Sequence, residues 1–152
     1  MSASDQSSLE ALAAEVGEQL LANGERLATA ESCTGGWVGQ CATAIAGSSR
    51  WFERGFVTYS NDAKIEMLGV GAETLAAHGA VSEACAAAMA LGALCRSRAD
   101  WALAVTGVAG PAGGSPGRPV GTVCFAWAGP QGRLETETRC FAGDRSAVRA
   151  QS

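Results

Sequence analysis

The chain has 152 residues, 47% of them apolar and 17% charged, with a formal net charge of -4. That apolar content over one domain's length builds a core and excludes a solvated coil. The acidic balance disfavours broad electrostatic binding to nucleic acid or anionic lipid.

Leu9, Leu12, Ala13, Val16, Leu20 and Leu21 fall close to a helical stripe, which predicts an amphipathic helix over 7–23 stopped at Gly24. A short strand follows at 27–30, then a helix opened by Gly35 or Gly36 and running to about Ile45. Residues 55–60 read as a strand ended by the turn pair Asn61-Asp62, and Asp62 is placed to cap a short helix carrying Lys64, Met67 and Leu68. A brief helix over 73–78 closes at Gly79. Ser82 caps a long Ala-rich helix to about Arg98, with Glu83 suiting its first turn. Residues 101–106 form an almost wholly apolar strand of the kind buried on both faces. The Gly/Pro stretch 107–119 is a loop, 120–128 and 133–141 pair as a hairpin around residues 129–132, and Asp144 caps a last helix. Helix and strand alternate and a hairpin follows. The expectation is a single α/β domain over 1–152, three-layer α/β/α, with a mixed, mostly parallel sheet and one antiparallel strand.

Six Cys occur without a C-x-x-C pair and mostly among apolar neighbours, as buried free thiols of a reduced, cytoplasmic protein do. The first residues lack a basic signal region, and no apolar run reaches the roughly 18 residues of a membrane helix. His78 is the only histidine, so a Ser-His-Asp triad or a multi-His metal site has to centre on it. Its place at a helix end before Gly79 suits a capping role.

Three stretches carry candidate chemistry. In residues 29–37, Ser32 leaves a strand for a helix, and the amides near Thr34, Gly35 and Gly36 suit an oxyanion or phosphate; the same residues also make an ordinary capped turn. In residues 55–64, the only Tyr and the only Lys among 11 Lys and Arg stand five positions apart across a strand-to-helix turn. A desolvated Lys64 has a lowered pKa and is then competent as the base for a Ser hydroxyl, with Tyr59 orienting the amine or relaying the proton. A snorkelling surface pair is the alternative. In residues 106–114, Thr106 and Gly107 lead from the most buried strand into a Gly-rich loop that lacks the Walker A ending and suits either a ligand flap or a plain surface loop. Ser48, after Gly47, serves a cap or a ligand.

The segments 30–36 (AESCTGG), 47–55 (GSSRWFERG), 59–64 (YSNDAK), 78–82 (HGAVS), 106–111 (TGVAGP), 119–123 (PVGTV) and 143–145 (GDR) together resemble the CinA C-terminal domain family over about residues 8–152. The resemblance implies an amidohydrolase. Stand-alone members deamidate nicotinamide mononucleotide to nicotinate mononucleotide and ammonia in pyridine nucleotide recycling. It implies Ser32 as nucleophile, assisted by Tyr59 and Lys64. On the reading of the residues themselves, Thr34, Gly35, Gly36, Ser48, Thr106, Gly107 and Arg145 are the candidates for holding a small nucleotide substrate, Arg145 toward its phosphate. Cofactors are none, nucleic acid and membrane are not partners, and members form homodimers or larger oligomers. Family chains run on through a C-terminal helix, whereas this one stops one or two turns past Asp144, so its final helix reads as truncated. A non-catalytic nucleotide-binding module tied to competence or DNA damage is the alternative; it does not require the set Ser32, Tyr59, Lys64.

Overall fold

The computed structural model describes residues 3–152. Helix α1 (Ala3–Asn23) ends where Gly24 stops it, with the Glu25 N–H returning to the Leu20 carbonyl at 2.9 Å. Strand β1 (Leu27–Glu31) follows, then α2 (Trp37–Thr43). α2 starts later than expected because Gly35 and Gly36 take positive φ (59° and 104°) and form the turn ahead of it. After a single 3-10 turn (Ser48–Arg50) comes β2 (Phe52–Val57), displaced three residues toward the N-terminus from the expected 55–60. The Leu27 N–H donates to the Trp51 carbonyl at 2.7 Å, so β1 recruits the chain from Phe52 onward. The charged pair Glu53-Arg54 hides the strand because β2 lies at a sheet edge. Ser60, not Asp62, caps α3 (Asn61–Leu68), its Oγ accepting from the Ala63 N–H at 3.0 Å; Asp62 sits in the first turn.

Next come α4 (Ala72–His78) and α5 (Glu83–Cys95), the latter capped by Ser82 as expected but ending three residues early. Strands β3 (Trp101–Gly107) and β4 (Thr122–Ala128) are joined by the Gly/Pro loop. A 3-10 turn (Pro130–Gly132) leads to β5 (Leu134–Cys140), and Asp144 caps α6 (Arg145–Gln151).

The five strands lie in the order β2-β1-β3-β4-β5. β1 pairs in parallel with β2 and β3, and β4 is antiparallel to both β3 and β5, so β4 alone opposes the other four. Strand alternation sorts the side chains. One face presents Ala28, Ala30, Ala102, Ala104, Ala126 and Ala128 to the Ala-rich side of α5, and small residues on both sides let helix and sheet approach closely. α3 and α4 pack on α5 in the same layer. On the other face Leu27 and Leu103 pack with Leu20 of α1, Ala42 of α2 and Trp51, while Val105 and Val123 meet Val148 of α6. The layers are therefore helix, sheet, helix. Close packing shows at Gly92 of α5, where a Cβ would stand 2.0 Å from the Leu68 carbonyl oxygen. Because β1, β2 and β3 run the same way, their carboxyl ends bring residues 32, 58–59 and 106–107 to one edge, where open α/β sheets hold ligands.

Candidate active site

Ser32 follows β1, and its N–H donates to the Val105 carbonyl at 3.0 Å, which seats it against the end of β3. The α3 backbone carries Lys64 inward. Its side chain is 1% exposed, and Nζ donates to Ser32 Oγ at 2.9 Å and to the Thr58 carbonyl at 2.8 Å. Thr58 in turn donates its N–H to the Glu31 carbonyl at 2.8 Å. Glu31, Ser32, Lys64 and Thr58 thus close a ring that registers the hydroxyl against the amine through the sheet itself. Among the described residues no ion pair includes Lys64. Burial without a carboxylate lowers its pKa below the ordinary lysine value; the Cys85 and Cys33 side chains partly oppose this. The Thr58 carbonyl takes an N–H from either protonation state of the amine. In the neutral state this leaves the lone pair free for Ser32.

Ser32 and Lys64 open on a cavity of about 290 Å³ that Tyr59, Thr106, Gly107 and Arg145 also line, joined by Asn61 and the loop from Val108 to Gly110. Arg145, at the start of α6, reaches across the mouth: Nη1 donates to the Gly110 carbonyl at 2.8 Å and Nη2 to Tyr59 Oη at 2.9 Å. Tyr59 is 61% exposed, and among the described residues no hydrogen bond joins it to Ser32 or Lys64. Of the two expected arrangements, the amine on the serine directly or through Tyr59, the hydrogen bonds match the direct one. Thr106 uses its hydroxyl to hold the carbonyl of Ala80, another lining residue, at 2.9 Å.

Four expected ligand-binding residues lie outside this cavity. Thr34 Oγ1 is turned away to Glu31 at 2.6 Å, the Gly35 N–H is bonded to the Ser32 carbonyl at 3.0 Å, and Gly36 lies against Val57. They shape the serine's turn and do not line its pocket. Ser48 sits in the 3-10 turn that leads into β2, at the amino end of the parallel strands and so across the sheet from the site. His78 gives its carbonyl to Arg118 and does not line the pocket. Cys33 does line it, but burial pushes its thiol up to about 11, so it stays protonated near neutrality and is a poor nucleophile. Asn61 was missed; its signal was its position between Tyr59 and Lys64, where it reads equally well as a turn residue. Among the described residues no helix is long and apolar enough to cross a membrane.

A family model described as the CinA C-terminal domain matches residues 9–152. The chain is 58% identical to the nicotinamide-nucleotide amidohydrolase PncC of Escherichia coli K12, over 96% of this chain and 88% of that protein. It is 56% identical to a CinA-like protein of Mycolicibacterium gilvum, over 85% of this chain and 31% of that longer protein. Its fold is similar to the crystal structure of a competence/damage inducible protein from Agrobacterium tumefaciens, with a TM-score of 0.91 and 49% identity over 94% of this chain and 87% of that one. A CinA superfamily protein from Escherichia coli gives a TM-score of 0.91 at 40% identity, covering 99% and 86%. The Ser32–Lys64 site and its frame are thus met in a sequence that matches along nearly its whole length: the chain belongs to the CinA C-terminal domain family.

Proposed function

We propose that the chain is a nicotinamide-nucleotide amidohydrolase that deamidates nicotinamide mononucleotide to nicotinate mononucleotide and ammonia. The observation that carries this reading is the buried, carboxylate-free Lys64 amine 2.9 Å from Ser32 Oγ. The 58% identity to PncC supports the substrate.

Neutral Lys64 takes the Ser32 proton as Oγ attacks the carboxamide carbon. The oxyanion faces the backbone N–H of Cys33, the one residue of the turn after Ser32 that lines the pocket, since the Gly35 N–H is already held by the Ser32 carbonyl. The Lys64 ammonium then protonates the departing nitrogen; the C–N bond breaks, ammonia leaves and an acyl ester remains on Ser32. Neutral again, Lys64 deprotonates a water that attacks the ester, and its proton returns to Ser32 as the acid is released. The balance is one amide plus one water to one carboxylate plus ammonium, with no redox step. Among the described residues that line the pocket, Arg145 is the one permanently charged side chain and none is acidic. In this reading Arg145 exchanges a neutral partner, Tyr59 Oη or the Gly110 carbonyl, for the substrate phosphate. The product re-enters pyridine nucleotide recycling.

The test is ammonia release by the wild-type chain and Ser32→Ala with nicotinamide mononucleotide, nicotinamide riboside and the dinucleotide. Release from the mononucleotide that disappears in Ser32→Ala is expected. Nucleotide binding without ammonia release would instead favour a non-catalytic binding module, and equal release by Ser32→Ala would remove the serine from the chemistry.

A further inference from the structure

The turn that carries Ser32 is gripped from two sides by charged groups that the mechanism above does not use. On the inner side, Glu31 is 1% exposed and makes no ion pair among the described residues. Its carboxylate accepts from Thr34 Oγ1 at 2.6 Å and from the N–H groups of Val38 and Gly39 at 2.9 and 3.0 Å. Those amides belong to the first turn of α2, whose cap position, Gly36, offers no side chain. Glu31 does from the preceding strand what an Asp or Ser does at an ordinary N-cap. It also ties both ends of the turn, residue 34 and residues 38–39, to one group next to the nucleophile.

On the outer side, Arg149 of α6 donates from Nε to the Cys33 carbonyl at 3.0 Å and from Nη2 to the Thr34 carbonyl at 3.1 Å. Its guanidinium lies 5.4 Å from the centroid of the Trp37 ring. A planar fork that takes two successive carbonyls fixes two successive peptide planes, and with them the direction of the N–H groups of residues 34 and 35. Neither Glu31 nor Arg149 lines the pocket. With the Ser32 carbonyl bonded to the Gly35 N–H, every carbonyl from residue 32 to 34 is committed.

Resting on the amidohydrolase reading, we propose that Glu31 and Arg149 are positioning residues. Together they hold Ser32 Oγ against Lys64 and set the orientation of the amides in its turn, so α6 is coupled to the nucleophile. A misplacement of a reacting group by about 1 Å costs up to about 100-fold in rate.

Arg149→Met keeps the stem over Trp37 and removes both donors. Glu31→Gln keeps the shape but turns an amide donor toward the donors that Glu31 now accepts from. For both, kcat is expected to fall about 10- to 100-fold with KM within about threefold, and Arg149→Lys to recover part of the loss. Labelling of Ser32 by an organophosphonate probe, followed by mass spectrometry at that residue, should slow in parallel; this readout needs no substrate. Folded variants, assayed well below their melting temperatures, that keep wild-type kcat and labelling rate would overturn the proposal, since a purely structural role lowers only Tm. A rise in KM alone would overturn it too. Where Arg149→Met does not fold, Arg149→Lys and Glu31→Gln carry the same comparison. Should the wild-type chain label at Ser32 yet release no ammonia, the amidohydrolase reading fails and the labelling rates alone judge the positioning role.

Discussion

Replacing Lys64 by Met probes the site most directly. Met fills much the same volume but has no amine, so Ser32 Oγ loses the partner at 2.9 Å and the Thr58 carbonyl loses its donor at 2.8 Å. Loss of a positioned general base costs about 10²- to 10⁴-fold in rate. At about 1.4 kcal/mol per decade this raises the barrier by roughly 3–5 kcal/mol. The structural terms oppose one another. The orphaned carbonyl costs about 1–3 kcal/mol, while the buried amine's desolvation penalty disappears. The sign of that penalty follows from the lowered pKa of Lys64. The folded state binds the proton less readily than the unfolded state. Wild-type stability therefore rises as the pH climbs from the folded value toward the ordinary lysine value, and the contribution is lost as the pH falls back through the folded value. Lys64→Met should lack this slope. Ammonia release measured beside urea unfolding across the alkaline range checks both parts. A folded Lys64→Met chain with kcat/KM within tenfold of wild type (about 1.4 kcal/mol) would refute the reasoning, because a base this well placed would then be doing no chemistry.

Three further outcomes are expected. Tyr59→Phe should lower kcat less than about tenfold, below the usual worth of a general acid or base, because its hydroxyl serves Arg145 rather than Ser32; steady-state kinetics against Lys64→Met tests the difference. Arg145→Ala should raise KM for nicotinamide mononucleotide about tenfold or more, in line with a lost charge-assisted bond of roughly 1.5–3 kcal/mol, with little change for the uncharged-tail riboside; equal effects on both substrates would remove the phosphate role. Gly92→Ala should destabilise by about 1–3 kcal/mol despite alanine's better helix propensity, because its Cβ would meet the Leu68 carbonyl oxygen at 2.0 Å and α3, with Lys64, would have to shift; the urea midpoint reads it directly.

Much of the architecture was legible in the residues. Gly24, Ser82 and Asp144 mark helix ends through local backbone chemistry that needs no tertiary partner, and the alternation of apolar stripes with short apolar runs announced three layers. β2 was misplaced because an edge strand is only half buried: Glu53 and Arg54 break the apolar pattern, and the pairing of Leu27 with Phe52 is a long-range fact. Ser60 displaced Asp62 as the cap because two residues of similar capping aptitude, two positions apart, are separated only by where the chain leaves the sheet.

For the site, composition alone singled out Lys64: one lysine among 11 basic side chains, five positions from the only tyrosine. Residue counting could not say which group Lys64 touches, whether it is buried, or that Tyr59 turns to Arg145 instead. Nor could it mark Glu31 and Arg149, whose partners are backbone amides and carbonyls with no side-chain signature. The reason is physical. Helix caps, strand runs and turn glycines are decided by interactions within a few residues, which a sequence displays. The lowered basicity of an amine and the aim of a nucleophile depend on desolvation and on bonds across 32 or 116 positions, such as Lys64 to Ser32 and Arg149 to Cys33, and only the packed chain brings those groups together.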